Sequence, residues 1–182
     1  MIRRLAGAFV AISATVLTLA SITPTAVSSA ALDTADSSIP ANPVDTIQMR
    51  VTANCITAEA RCLFDTVANL RTPNGVVGFP GDLYARQNVT LRTMDRSVYI
   101  NSNVATPNTR IFKSLTDNEI STVYFGGGPP DRVSLHGVAW PIDSYTGRPR
   151  TDVPLIVCSY IQVVYAGVNL TTPNACAQAA FS

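Results

Sequence analysis

His136 is the only histidine in the chain, so it is the one side chain whose ordinary pKa lies near neutrality. Any proton-transfer chemistry at neutral pH would centre on it. Asp131, Ser134, Asp143 and Ser144 lie close to it in sequence. A serine–histidine–carboxylate hydrolase needs the serine hydroxyl on one imidazole nitrogen and a carboxylate on the other. Nearness in sequence does not supply that geometry, and the chain has no G-x-S-x-G elbow. Strand alternation puts His136 on a face with Arg132, Ser134, Val138 and Trp140, which reads as a surface or sheet-edge histidine. No catalytic residue is assigned from the sequence. A small hydrolase with His136 as base is carried only as an alternative.

The other groups that could do chemistry are less organised. The 12 acidic residues are scattered, mostly at positions that read as turns or strand ends, where Asp makes its own backbone contacts. A glycosidase would need two of them facing each other across a cleft. The segment from Asp143 to Asp152 lacks the D-x-D-x-D-G run of a calcium loop. The four cysteines are not at zinc spacings, and one histidine does not complete such a site. Gly126-Gly127-Gly128-Pro129-Pro130-Asp131 lacks the Lys and Ser/Thr of a phosphate loop and reads as a wide, exposed connection. Neither a metal nor a cofactor is expected.

Recognition chemistry is better represented. A predicted strand over residues 83–94 carries Tyr84, Arg86, Asn88, Thr90 and Arg92 on its polar face. Tyr and Arg are over-represented where proteins contact partners. Arg148 and Arg150 lie in the turn-rich segment 141–154, where either would suit a trypsin-like pocket. The candidate binding residues are therefore Tyr84, Arg86, Arg92, Arg148 and Arg150.

These residues need a scaffold, and the N-terminus says where it would work. Met1-Ile2-Arg3-Arg4 is a positive n-region, Leu5 to Ile22 carries no charge, and Pro24 precedes the small residues Val27-Ser28-Ser29-Ala30-Ala31. This reads as a cleavable secretory signal peptide over residues 1–30. Its removal would take Arg3 and Arg4, leaving 11 basic against 12 acidic residues and a net charge of −1. Such a balance lacks the clustered positive charge that nucleic acid requires. No membrane span is expected after cleavage. Cys55, Cys62, Cys158 and Cys176 all lie in the remainder, and an even count in an exported chain implies two disulfides. Of three possible connectivities, Cys55–Cys62 with Cys158–Cys176 is favoured because each bridge closes a loop between neighbouring elements.

Residues 31–44 are small, polar and proline-containing, and read as a flexible leader before a single β domain over 45–182. From there the pattern has period two: Ile47, Met49, Val51 and Ala53 alternate with Thr46, Gln48, Arg50 and Thr52. About eight short strands separated by Gly, Pro and Asn follow, with no sustained helical period. The fold expected is an all-β antiparallel β-sandwich, with a closed β-barrel as the alternative.

Asn69-Leu70-Arg71-Thr72-Pro73-Asn74-Gly75, the run from Gly78 to Gln87 and the run from Ser121 to Pro130 together resemble small exported proteins of unassigned function from high-GC actinobacteria. The resemblance implies an extracellular or cell-envelope location and a compact domain, and carries no activity with it. The function expected is a secreted, non-enzymatic binding domain whose partner is an extracellular protein or a cell-surface glycan. An inhibitor of an extracellular protease or hydrolase is the first alternative, ahead of the small hydrolase.

Overall fold

The computed structural model describes residues 31–94 and 98–182. The signal-peptide expectation for residues 1–30 lies outside the described residues. The chain order is β1 (Leu32–Pro40), β2 (Thr46–Ile56), β3 (Arg61–Thr72), β4 (Gly75–Val77), β5 (Tyr84–Thr93), β6 (Tyr99–Val104), β7 (Thr109–Lys113), β8 (Asp117–Phe125), β9 (Val133–Ile142), β10 (Leu155–Tyr165), β11 (Val168–Thr171) and β12 (Ala175–Ala179). A single 3-10 turn, Thr57–Glu59, joins β2 to β3.

The strands form two antiparallel sheets packed face to face, an open sandwich and not a closed barrel. The first has the order β1-β2-β3-β9-β6, with β4 on the end of β3. The second has the order β11-β10-β5-β8-β7, with β12 and β11 sharing one edge of β10. Alternation dictates which side chains fill the space between the sheets. Met49, Val51, Phe64 and Leu135 come from the first sheet, and Val89, Leu91, Ile120 and Ile161 from the second; all are essentially buried. Gly137 also points inward. A Cβ there would sit 2.2 Å from the Phe64 ring, so only glycine leaves room for that ring.

The flexible leader expected over residues 31–44 is corrected. Residues 32–40 are strand β1, paired along its whole length with β2. An edge strand needs only one ladder, so small polar residues suffice. Asp36 meets its cross-strand neighbour Arg50 in an exposed ion pair at 2.8 Å. The Asp33 carboxylate accepts the Gln178 backbone N–H at 2.7 Å, and the Ser37 hydroxyl donates to the Pro173 carbonyl at 2.7 Å. These two bonds tie β1 to the C-terminal tail and so join the two sheets along one side of the sandwich.

Both disulfides have the favoured connectivity, Cys55–Cys62 and Cys158–Cys176. Each links directly opposed residues of neighbouring strands. The first is buried in the core, whereas Cys158 is half-buried and Cys176 exposed on the outer face of the second sheet.

The glycine-rich loop is tighter than the wide connection expected from its composition. Two crossings between the sheets, residues 78–83 and 126–132, lie together at one end of the sandwich. A Cβ on Gly78 would stand 1.8 Å from the Gly128 carbonyl oxygen, and one on Gly127 1.9 Å from that of Phe79. The backbones therefore touch, and glycine is required for the contact. The Gly126 N–H donates to the Leu83 carbonyl at 2.8 Å.

Inside the sandwich, Gln87 is fully buried and links the sheets. Its amide N–H donates to Thr66 Oγ1 at 2.6 Å and, at longer range, to Ser159 Oγ at 3.4 Å. The Tyr124 hydroxyl proton is shared between Gln87 Oε1 and the Ser134 carbonyl, both at 2.9 Å. Burial raises the Tyr124 phenol well above its ordinary value, against a smaller opposing effect of Arg132. On the far side, Asn118 Nδ2 donates to the Ile100 carbonyl at 2.6 Å and to Ser102 Oγ at 2.9 Å, holding β8 to β6.

Candidate functional site

Alternation along β5, β7 and β8 turns one set of side chains outward. On β5 these are Tyr84 and Arg86, on β8 Ser121, Val123 and Phe125, and on β7 Arg110 and Phe112. The registers place them as neighbours: Tyr84 opposite Phe125, Arg86 opposite Val123, and Ser121 opposite Arg110. Together they line a hollow of about 570 Å³. Tyr84, Phe112 and Phe125 are 41%, 55% and 62% exposed. The Tyr84 and Phe125 rings meet edge to face with centroids 5.7 Å apart, which stiffens the pair. Arg86 Nε donates to Ser121 Oγ at 3.0 Å, which fixes its guanidinium over the strand.

A second hollow of about 390 Å³ adjoins the first, where the loop between β6 and β7 crosses the open side of the sandwich. The two share Asn108, Val123 and Phe125. Arg132, Ser134 and His136 complete its wall from β9 and the residue before it. Tyr124 braces this wall from within through the Ser134 carbonyl.

His136 has partners on both ring nitrogens. Asp65, its opposite number on β3, hydrogen-bonds Nδ1, and Ser134 Oγ lies 3.3 Å from Nε2. This has the order of a hydrolase triad. It stands on an outer sheet face, with the His136 and Asp65 side chains 69% and 55% exposed. Asp65 is the member that sequence reasoning missed. It is 71 residues from His136, and only the β3–β9 pairing brings them together.

The structure brings Tyr84 and Arg86 together and leaves the other three expected binding residues elsewhere. Arg92 lies at the opposite end of β5, about 27 Å along the strand from Tyr84. Arg148 and Arg150 sit in the β9–β10 connection, at that same far end. Arg150 is held by Asp152 in a paired contact at 2.6 and 2.8 Å and approaches Asp143 at 3.5 Å. Those carboxylates raise its pKa further and bind it into the loop.

The loop itself is a compact turn. Asp143 Oδ1 accepts the backbone N–H of Thr146 at 2.7 Å, the Thr146 hydroxyl at 2.9 Å and the Tyr145 N–H at 3.1 Å. These bonds, chiefly the two from Thr146, hold the Asp143 carboxyl below its ordinary range. Its backbone turns back on itself through Asp143 N–H to the Arg148 carbonyl at 2.8 Å.

Sequence reasoning also passed over Phe112, Phe125 and Arg110. The signal was available for Phe125, which follows the buried Tyr124 and must face the other way. Among the described residues, no group of three or more His, Cys, Asp or Glu is placed to hold a metal ion. No described helix is long and apolar enough to cross a membrane.

Fold and site define a class, the disulfide-braced antiparallel β-sandwich with an aromatic and arginine-lined outer face. No protein-family model matches the chain, and comparison with curated proteins finds no match.

Proposed function

We propose that the chain is a secreted, non-enzymatic binding domain that acts at the cell surface or in the medium, with its ligand on the outer face of β5, β8 and β7. The partner is an extracellular protein or a cell-surface glycan. One observation carries the reading: the exposed Tyr84–Phe125 ring pair and, about 20 Å along the strands, the exposed Phe112 line one hollow on this face, with Arg86 and Arg110 between them. Scattered exposed apolar side chains need no explanation, but exposed aromatics that line one hollow together with arginines have the composition of interaction surfaces. Two disulfides fit an oxidising compartment.

The test is a pull-down with the oxidised chain lacking residues 1–30, against the host's extracellular proteins and wall polysaccharides. Phe112→Ser combined with Phe125→Ser should abolish capture while leaving the melting temperature nearly unchanged. Capture that survives the double substitution would remove this face from consideration.

A second reading rests on the Asp65–His136–Ser134 arrangement. In a small hydrolase, Ser134 Oγ would attack an ester carbonyl while its proton passes to His136 Nε2, and Asp65 would steady the imidazolium. The leaving alcohol would take that proton, and water would release the acyl group by the same path. The exposure of the imidazole weighs against it, because catalytic electrostatics gain their strength from exclusion of water. Covalent labelling of Ser134 by a fluorophosphonate, lost in Asp65→Asn, is what this reading requires.

A further inference from the structure

We infer that the ligand of the joined hollows is an acidic polysaccharide, an extended chain of sugar rings bearing carboxylate, phosphate or sulfate groups; this rests on the proposed binding face. The shape comes first. The two hollows adjoin and share Asn108, Val123 and Phe125 in their walls, one on the outer sheet face and the other beside the loop between β6 and β7. Adjoining hollows suit successive units of a linear polymer better than they suit the flat surface of a globular partner.

The walls supply the matching chemistry. Phe125 stands at the junction, 62% exposed, and offers a flat apolar surface to the C–H face of a sugar ring. Asn108 and Ser121 supply polar side-chain groups for ring hydroxyls.

Charge selects the acidic class. Arg86 and Arg110 line the first hollow and Arg132 the second, and no Asp or Glu lines either. None of the three arginines forms an ion pair among the described residues, whereas Arg50, Arg61 and Arg150 each hold a carboxylate. Asp131 adjoins Arg132 in the chain, Glu119 lies opposite Phe112 on β8 and Asp65 is turned to His136, and none of the three lines either hollow. Arg86 and Arg110 stand on opposite sides of β8, so their backbones are about 10 Å apart across the sheet. An anionic chain lying across the two hollows would meet one guanidinium after another, and arginine is suited to paired contact with carboxylate or phosphate oxygens.

Affinity electrophoresis of the oxidised chain without residues 1–30, in gels containing polygalacturonate, dextran or polyglutamate, tests this. The expected result is retardation by polygalacturonate alone, with affinity reduced at least about tenfold by Arg86→Gln with Arg110→Gln and likewise by Phe125→Ala. Each variant is first checked for an unchanged melting temperature. Equal retardation by dextran would overturn the acidic class and leave the binding face standing. Retardation by polyglutamate that Phe125→Ala does not alter would overturn the sugar. Retardation by none of the three would overturn the inference, and the pull-down with the Phe112 and Phe125 variants would then decide the binding face by itself.

Discussion

Tyr124 ties the core to the candidate site, and its removal has a signature in pH as well as in stability. The phenol is 3% exposed, and its proton serves both Gln87 Oε1 and the Ser134 carbonyl. Tyr124→Phe keeps the ring and deletes that proton. Two acceptors then lack their donor, which should cost about 1–3 kcal/mol near pH 8. Alkaline pH changes the comparison. Burial holds the folded phenol well above its ordinary value of 10, while the unfolded chain ionises near that value. The contribution is whole below pH 10 and is lost as pH rises towards the folded pKa, because only the unfolded state has released the proton. The slope is at most about 1.4 kcal/mol per pH unit, giving a loss of about 1.4 kcal/mol at pH 11. Phenylalanine has nothing to release, so the gap between the two proteins should narrow by about that amount between pH 8 and pH 11. Urea unfolding followed by Trp140 fluorescence measures it, since that is the only tryptophan. Tyrosines common to both proteins cancel in the difference. A gap that does not change with pH would refute the assignment of Tyr124 as a buried, neutral cross-sheet donor.

Gly137→Ala should destabilise by about 1–3 kcal/mol through overpacking against the Phe64 ring. Phe64→Leu in the same chain should recover part of that loss in thermal melts. Replacing Cys158 and Cys176 together by serine frees a closure spanning 18 residues and should cost about 3 kcal/mol in denaturant titration. The Asp143 turn should hold above the ordinary carboxylate range. It should loosen as pH falls through the depressed pKa, because the carboxylate that accepts the Thr146 N–H and hydroxyl is then neutralised. Amide protection factors of Tyr145 and Thr146 at pH 6 and pH 2 measure this, and Asp143→Ala should show low protection at both.

What was legible in the sequence is what depends on local order. Period-two alternation in 47–53 and 83–94 declares strands and assigns each side chain a face, and that was enough for an all-β sandwich. The cystine pairing was legible because each bridge closes a short loop between strands that adjoin in sequence. The same rule could have placed Gln87, which shares its face with Ala85, Val89 and Leu91, but a glutamine carries no apolar signal and its burial depends on partners from β3, β8 and β10. Residues 31–44 failed for a related reason. β1 has too little apolar character to announce itself and becomes a strand because β2 offers it a ladder.

Alternation says which way a residue points and is silent about which strand lies beside it. The chain by itself determined strands, faces and bridges. The tertiary structure decided that β3 lies against β9, setting Asp65 on His136, and that β5, β8 and β7 are neighbours, setting Tyr84 against Phe125 and Phe112 further along the same face, while Arg92, Arg148 and Arg150 go to the end away from Tyr84. Those juxtapositions join residues far apart in the chain. Their register is set by how whole inner faces pack between two sheets, a condition that no local window of sequence contains.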